Sequence, residues 1–96
     1  MNCIGHEFLK DHKCNGWYAW NHTLINRKKF QGVHKNRDYF DAPINMSWCC
    51  QNFHSRYGET TAFRQWFYER QCRIHGKYFV DAWLDGAPLK IKERYT

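Results

Sequence analysis

The stretch 43-PINMSWCCQNFHSRYG-58 decides how this chain is read. Pro43 pushes Ala42 away from helical backbone, so the chain is punctuated there. Ile44, Met46 and Trp48 then alternate with polar residues, which is the period of a short strand. Asn45 lies inside that signal, and Cys49, Cys50 and His54 follow it. Neighbours on a strand face opposite sides, so Cys49 and Cys50 do not readily point at one metal. The Cys50-x3-His54 spacing favours Cys50.

Upstream, Trp17-Tyr18-Ala19-Trp20 leads into His22, Leu24 and Ile25 and reads as another strand. Trp17, Tyr18, Trp20, Trp48, Trp66 and Trp83 are expected in the core, with one or two left to stack on unpaired bases. Between the strands, residues 26–41 form a basic loop carrying Arg27, Lys28, Lys29, His34, Lys35 and Arg37. Residues 1–15 are polar and irregular and hold Cys3, His6, His12 and Cys14. Downstream, Thr60 or Thr61 can cap a helix. Phe63, Trp66, Phe67 and Ile74 give it one core-facing stripe, and Gly76 ends it. A further segment runs from Tyr78 to Leu84 and stops at Asp85-Gly86 and Pro88, before a polar tail, 90–96, that is expected to fray.

With 96 residues the chain is a single domain. Aromatics at 19% and only moderate charge exclude a disordered tail. No run of about 18 apolar residues is present, so no membrane span is expected. The N-terminus does not read as a signal peptide, which points to a reducing, cytoplasmic compartment. There the five Cys are thiols or metal ligands, and five cannot all pair within one chain. A domain this small commonly needs a staple, and five Cys with six His make a structural zinc a reasonable one. Fifteen Lys and Arg against nine Asp and Glu give a formal charge of +6, which suits a polyanionic partner.

Three polar residues stand out by interval: His22-x22-Asn45 and Asn45-x8-His54, with Cys50 between the last two and Gly58 after them. This pattern resembles the HNH (ββα-metal) nuclease motif. The segment Arg37-Asp38-Tyr39-Phe40-Asp41, the aromatic helix from Phe63 to Arg70, Gly76 and Trp83-Leu84 make it most similar to the lambdoid phage recombination endonucleases of the Rap/NinG type. The resemblance covers about residues 3–90. It implies a small α+β, treble-clef-like domain: a knuckle in 1–15, a ββα core in 17–58 with a short β-hairpin packed on a helix, and one or two C-terminal helices in 59–86.

The resemblance also implies the roles. His22 is the general base, Asn45 ties the loop, and His54 opens a helix and binds a divalent metal such as Mg²⁺. An imidazole titrates near pH 6.5 and can take a proton from water, while a hard cation stabilises the leaving 3′-oxygen. Arg27, Lys28, Lys29, Lys35 and Arg37 would hold flanking phosphates. The family usually has Asp, His or Gly where this chain has Asn21, so Asn21 is the second metal ligand in this reading. A family Cys falls on Phe53, and the first knuckle is Cys3-x2-His6. The structural zinc is therefore assigned to Cys3, His6, Cys14 and Cys50, with Cys49 and His54 as alternatives to Cys14. His12, His34, His75 and Cys72 are left without a role.

The expected function is a metal-dependent endonuclease acting on DNA, of phage derivation, working on branched or recombining DNA inside a bacterial host cell. A two-fold substrate would suit a homodimer. The alternatives are an inactive HNH-like basic module that binds DNA or a host protein, and a zinc-stapled interaction protein with no nucleic-acid role.

Overall fold

The computed structural model describes residues 2–27, 37–87 and 93–95. The chain runs α1 (Gly5–Phe8), β1 (Tyr18–His22), α2 (Arg37–Phe40), a 3-10 turn at Pro43–Asn45, β2 (Met46–Cys50), α3 (Gln51–Tyr57), α4 (Thr61–His75) and α5 (Lys77–Asp85). It is a small α+β domain. β1 and β2 are antiparallel, with Trp20 opposite Trp48 and His22 opposite Met46. Helix α3 follows β2 directly and packs on both strands.

The core lies between the strand pair and the helices. Phe53 of α3, Phe63 and Phe67 of α4 and Val80 and Leu84 of α5 are buried there. Phe8, the last residue of α1, meets Phe53, Phe63 and Trp66 edge-to-face. Helix α4 starts where Thr60 accepts the Phe63 N–H at 3.3 Å and ends at Gly76, whose φ of 91° only glycine adopts without strain. Both ends fall where the sequence placed them.

The strand faces are the reverse of what the aromatic pattern suggested. Tyr18, Trp20 and Trp17 are not core residues; they are 46%, 49% and 68% exposed. Trp48, Trp66 and Trp83 are half-buried. The inward positions are Asn21, Ser47 and Cys49. Polar side chains are tolerated inside because they satisfy one another. Thr23 Oγ1 lies 2.7 Å from Ser47 Oγ, and Asn21 Nδ2 donates to Thr23 Oγ1 at 3.1 Å.

Leu24 and Ile25 are buried but lie past the end of β1, and Ile44 belongs to the 3-10 turn rather than to β2. The backbone after β1 is held without a strand partner of its own. Arg64 donates to the carbonyls of Thr23 and Leu24, each at 3.0 Å. Ile74 sits in the last turn of α4 and is 58% exposed, off the buried stripe of Phe63, Phe67, Tyr68 and Gln71. Residues 93–95 are packed down rather than frayed. The Tyr95 ring stacks on Tyr68, and its hydroxyl donates to the Leu24 carbonyl.

Candidate functional site

The first centre is built by the N-terminal segment docking on β2 and α3. Ile4 N–H donates to the Trp48 carbonyl at 2.7 Å. Gln51 and Asn52 N–H donate to the carbonyls of Trp17 and Asn15 at 2.7 and 3.0 Å, which brings Cys14 to the start of α3. Cys50 is the residue that caps that helix, its sulfur accepting the Phe53 N–H at 3.4 Å. Cys3 Sγ accepts the N–H groups of Gly5 and Cys50, each at 3.3 Å.

The result is a cluster of Cys3, His12, Cys14 and Cys50 whose ligand atoms all lie within 4.8 Å of one another. His12 Nε2 is 3.5 Å from Cys3 Sγ, 3.5 Å from Cys14 Sγ and 3.4 Å from Cys50 Sγ. Tetrahedral zinc bound to sulfur and nitrogen at ordinary lengths sets S and N about 3.5 Å apart. The donor set, its number and its edges fit a metal ion such as zinc, and backbone N–H groups on the sulfurs are the outer support that thiolate ligands take. Burial pushes the Cys3 thiol up to about 11 despite its two backbone donors. At Cys50 burial also pushes upward, but the N–H groups of Phe53 and Asn15 and bonds from Cys3 and Cys14 bring it below the ordinary thiol value. Burial and the neighbouring His6 lower His12, favouring the neutral imidazole that binds metal.

Three of the four clustered residues, Cys3, Cys14 and Cys50, are among those assigned to a zinc from the sequence. The fourth is His12 where the spacing put His6. His6 is exposed on α1, with Nε2 3.4 Å from Cys14 Sγ and its ring edge-on to His12. It stands beside the cluster instead of within it. Cys49 is buried next to Ser47, and burial pushes its thiol up to about 12. Room for His12 comes from Gly5. A Cβ at that position would come 2.7 Å from the His12 ring, so the absence of a side chain makes room for the imidazole.

A second centre lies where β1 ends. A cavity of about 310 Å³ is lined by Trp20, Asn21, His22, Asn26, Arg27, His54 and Glu59. It brings His54 of α3 together with Asn21, His22 and Arg27, which come from the end of β1 and the residues just after it. His54 and Glu59 also line an adjoining hollow with Ser55, Arg56 and Thr60. His22 Nε2 is 2.7 Å from Asp41 Oδ1, and Asn26 Nδ2 donates to Glu59 at 3.0 Å. Asn21 donates its amide nitrogen to Thr23 and to the Gly58 carbonyl, so Oδ1 is the atom it has left for a cation.

Asn45 is not part of this cavity. It is fully buried and works on the backbone. Ile25 N–H donates to its Oδ1 at 2.8 Å, and its Nδ2 donates to the carbonyls of Ile25 and Phe40 at 3.2 and 2.8 Å. Its place is that of a loop tie. Arg37 is exposed on α2 and does not line the cavity. Lys28, Lys29 and Lys35 lie outside the described residues. Glu59, which lines the cavity, and Asp41, which bonds His22, were not singled out by spacing.

No family model, curated protein or solved structure matches the chain. Among the described residues no helix is long and apolar enough to cross a membrane.

Proposed function

We propose that the chain is a metal-dependent endonuclease of the HNH type, hydrolysing phosphodiester bonds in DNA. The observation that carries this reading is the shared cavity. A His at the end of β1 and a His on α3 line one cavity, on a strand–strand–helix frame, with Arg27 and Glu59 beside them. The cluster of Cys3, His12, Cys14 and Cys50 serves in this reading as a structural zinc beneath that frame, giving a treble-clef-like domain.

The residues divide the work. Asp41 Oδ1, 2.7 Å from His22 Nε2, would hold the ring in place with the proton on Nε2. His22 takes a proton from a water molecule as the water oxygen attacks phosphorus; the bond to the 3′-oxygen breaks, and that oxygen takes up a proton from solvent. Arg27 neutralises phosphate charge. His54, Glu59 and Asn21 Oδ1 would hold a divalent cation, with water and phosphate completing its shell. Such a cation supplies charge neutralisation at the leaving oxygen when bound.

Asn21 favours a second reading, because it supplies an amide where a carboxylate would hold a hard cation more firmly. In that reading the domain binds DNA without cutting it. A nicking assay on supercoiled DNA with Mg²⁺ or Mn²⁺ separates the two. The nuclease reading expects cleavage that His22→Ala lowers at least about 100-fold while zinc content and circular dichroism are unchanged. Activity that survives His22→Ala would sink the assignment. DNA binding without cleavage in any divalent metal would establish the second reading.

A further inference from the structure

Beside the His22 cavity lies a groove of about 500 Å³ lined by Trp20, Asp41, Pro43 and Met46. Three of its four lining residues are apolar, and the fourth is a carboxylate. Two features join it to the cavity. Trp20 lines both, and Asp41 lines the groove while bonding His22 at 2.7 Å. The Trp20 indole is half exposed, yet it is propped. Trp48 meets it edge-to-face with ring centroids 5.0 Å apart, and Tyr18 stacks on Trp48 at 5.8 Å. An exposed indole held by a neighbour is a prepared stacking surface, because little rotamer freedom is lost when a ligand lands on it.

We infer that this groove seats one unpaired nucleobase of the nucleic acid whose phosphate occupies the His22 cavity, with Trp20 stacking on the base and Asp41 accepting from its amino or imino N–H. This inference rests on the nuclease reading for the phosphate, and it names the substrate class: DNA with an unpaired nucleotide at the reactive phosphate. The occupant follows from the groove's chemistry. A base is planar and apolar on its faces and carries donors on its edge, matching an indole, Pro43, Met46 and a carboxylate. A carboxylate at that edge accepts from the amino group of cytosine or adenine. A base inside a duplex is stacked on both faces and cannot present one face to Trp20 without leaving the helix. The dinucleotide that spans groove and cavity would lay its sugar across the shared Trp20 wall.

The test compares a fluorescent duplex with the same duplex carrying one unpaired nucleotide. Anisotropy is read at low salt without added Mg²⁺, so that binding is measured apart from cleavage. The expected result is tighter binding of the unpaired substrate, a preference that Trp20→Ala removes by weakening that complex about tenfold while the duplex changes within about twofold. Trp17→Ala is the control, since Trp17 is the more exposed aromatic at 68% but lines neither cavity. Equal losses in the two variants, or equal affinity for the two DNAs, would overturn the groove and leave the nuclease reading standing. Unpaired-base binding that depends on Trp20 in a protein that never cleaves would keep the groove and remove the nuclease. Failure to bind either DNA at low salt would remove both.

Discussion

Asn45 shows how much one side chain can hold. It is fully buried and bridges the backbone after β1, at Ile25, to the backbone at the end of α2, at Phe40. Its own N–H and C=O are engaged as well, to Ala42 and from Thr23. Asn45→Ala strands the Ile25 N–H and two carbonyls in a place water does not reach, and each stranded group costs on the order of 1–3 kcal/mol. Partial relaxation will recover some of this, so a loss of about 3 kcal/mol is expected, read as a lower urea midpoint with an unchanged slope. A loss below about 1 kcal/mol would mean that the amide is dispensable. Asn45 was legible in the sequence because the intervals to His22 and His54 marked it. His12 was not. Its neighbour His6 has the shorter, more familiar spacing to Cys3, whereas His12 lies beyond a turn at Lys10 and Asp11 and fits only because Gly5 leaves room for its ring. Asp41 was hidden for a different reason, since its partner lies across a connection whose path no local pattern dictates.

Among the elements, α4 was the most legible, while α1 and α2 are short helices in segments that read as irregular and as loop. Thr60, a buried stripe and Gly76 each state one property of α4, and they agree. The cap can be tested alone because Thr60 is exposed and its Oγ1 accepts the Phe63 N–H. Thr60→Ala should cost about 1 kcal/mol of stability, Thr60→Ser far less, and neither should change zinc content. Equal behaviour of the two variants by urea unfolding would count against the cap. In β2 the alternation was correctly heard but assigned to the wrong face. Met46 and Trp48 lie outward, while Ser47 and Cys49 lie inward, because Ser47 joins a buried hydrogen-bond chain with Thr23 and Asn21. Apolar period alone cannot reveal that a strand's polar side is the buried one. Helix α3 buries only Phe53 and so carries no periodic signal of its own. It was expected from the family resemblance, and its start is fixed here by the Cys50 cap.

At the scale of the whole molecule the Cys/His cluster, which could hold a metal ion, is where three stretches of chain meet. Cys3 belongs to the docked N-terminus, His12 and Cys14 to the turn before β1, and Cys50 to the junction of β2 and α3. The rest of the N-terminal attachment is modest: Ile4, the Phe8 ring cluster and an ion pair in which Arg70 donates to both oxygens of Glu7, at 2.7 and 3.0 Å. An exposed pair of that kind contributes less than about 1 kcal/mol. A bound ion stabilises by mass action, and zinc at a thousand times its dissociation constant adds about 4 kcal/mol. That is a large share of the 5–15 kcal/mol at which domains of about this size stand. Removing the ion with a strong chelator should therefore lower the urea midpoint clearly, and released zinc should approach one per chain. Cys50→Ala should reproduce the shift without chelator, since it removes a ligand and the α3 cap together. Cys72→Ala should leave zinc release unchanged, because Cys72 lies on α4 outside the cluster. Unfolding curves that coincide with and without chelator, measured by tryptophan fluorescence, would show that the apolar core holds the three stretches together unaided.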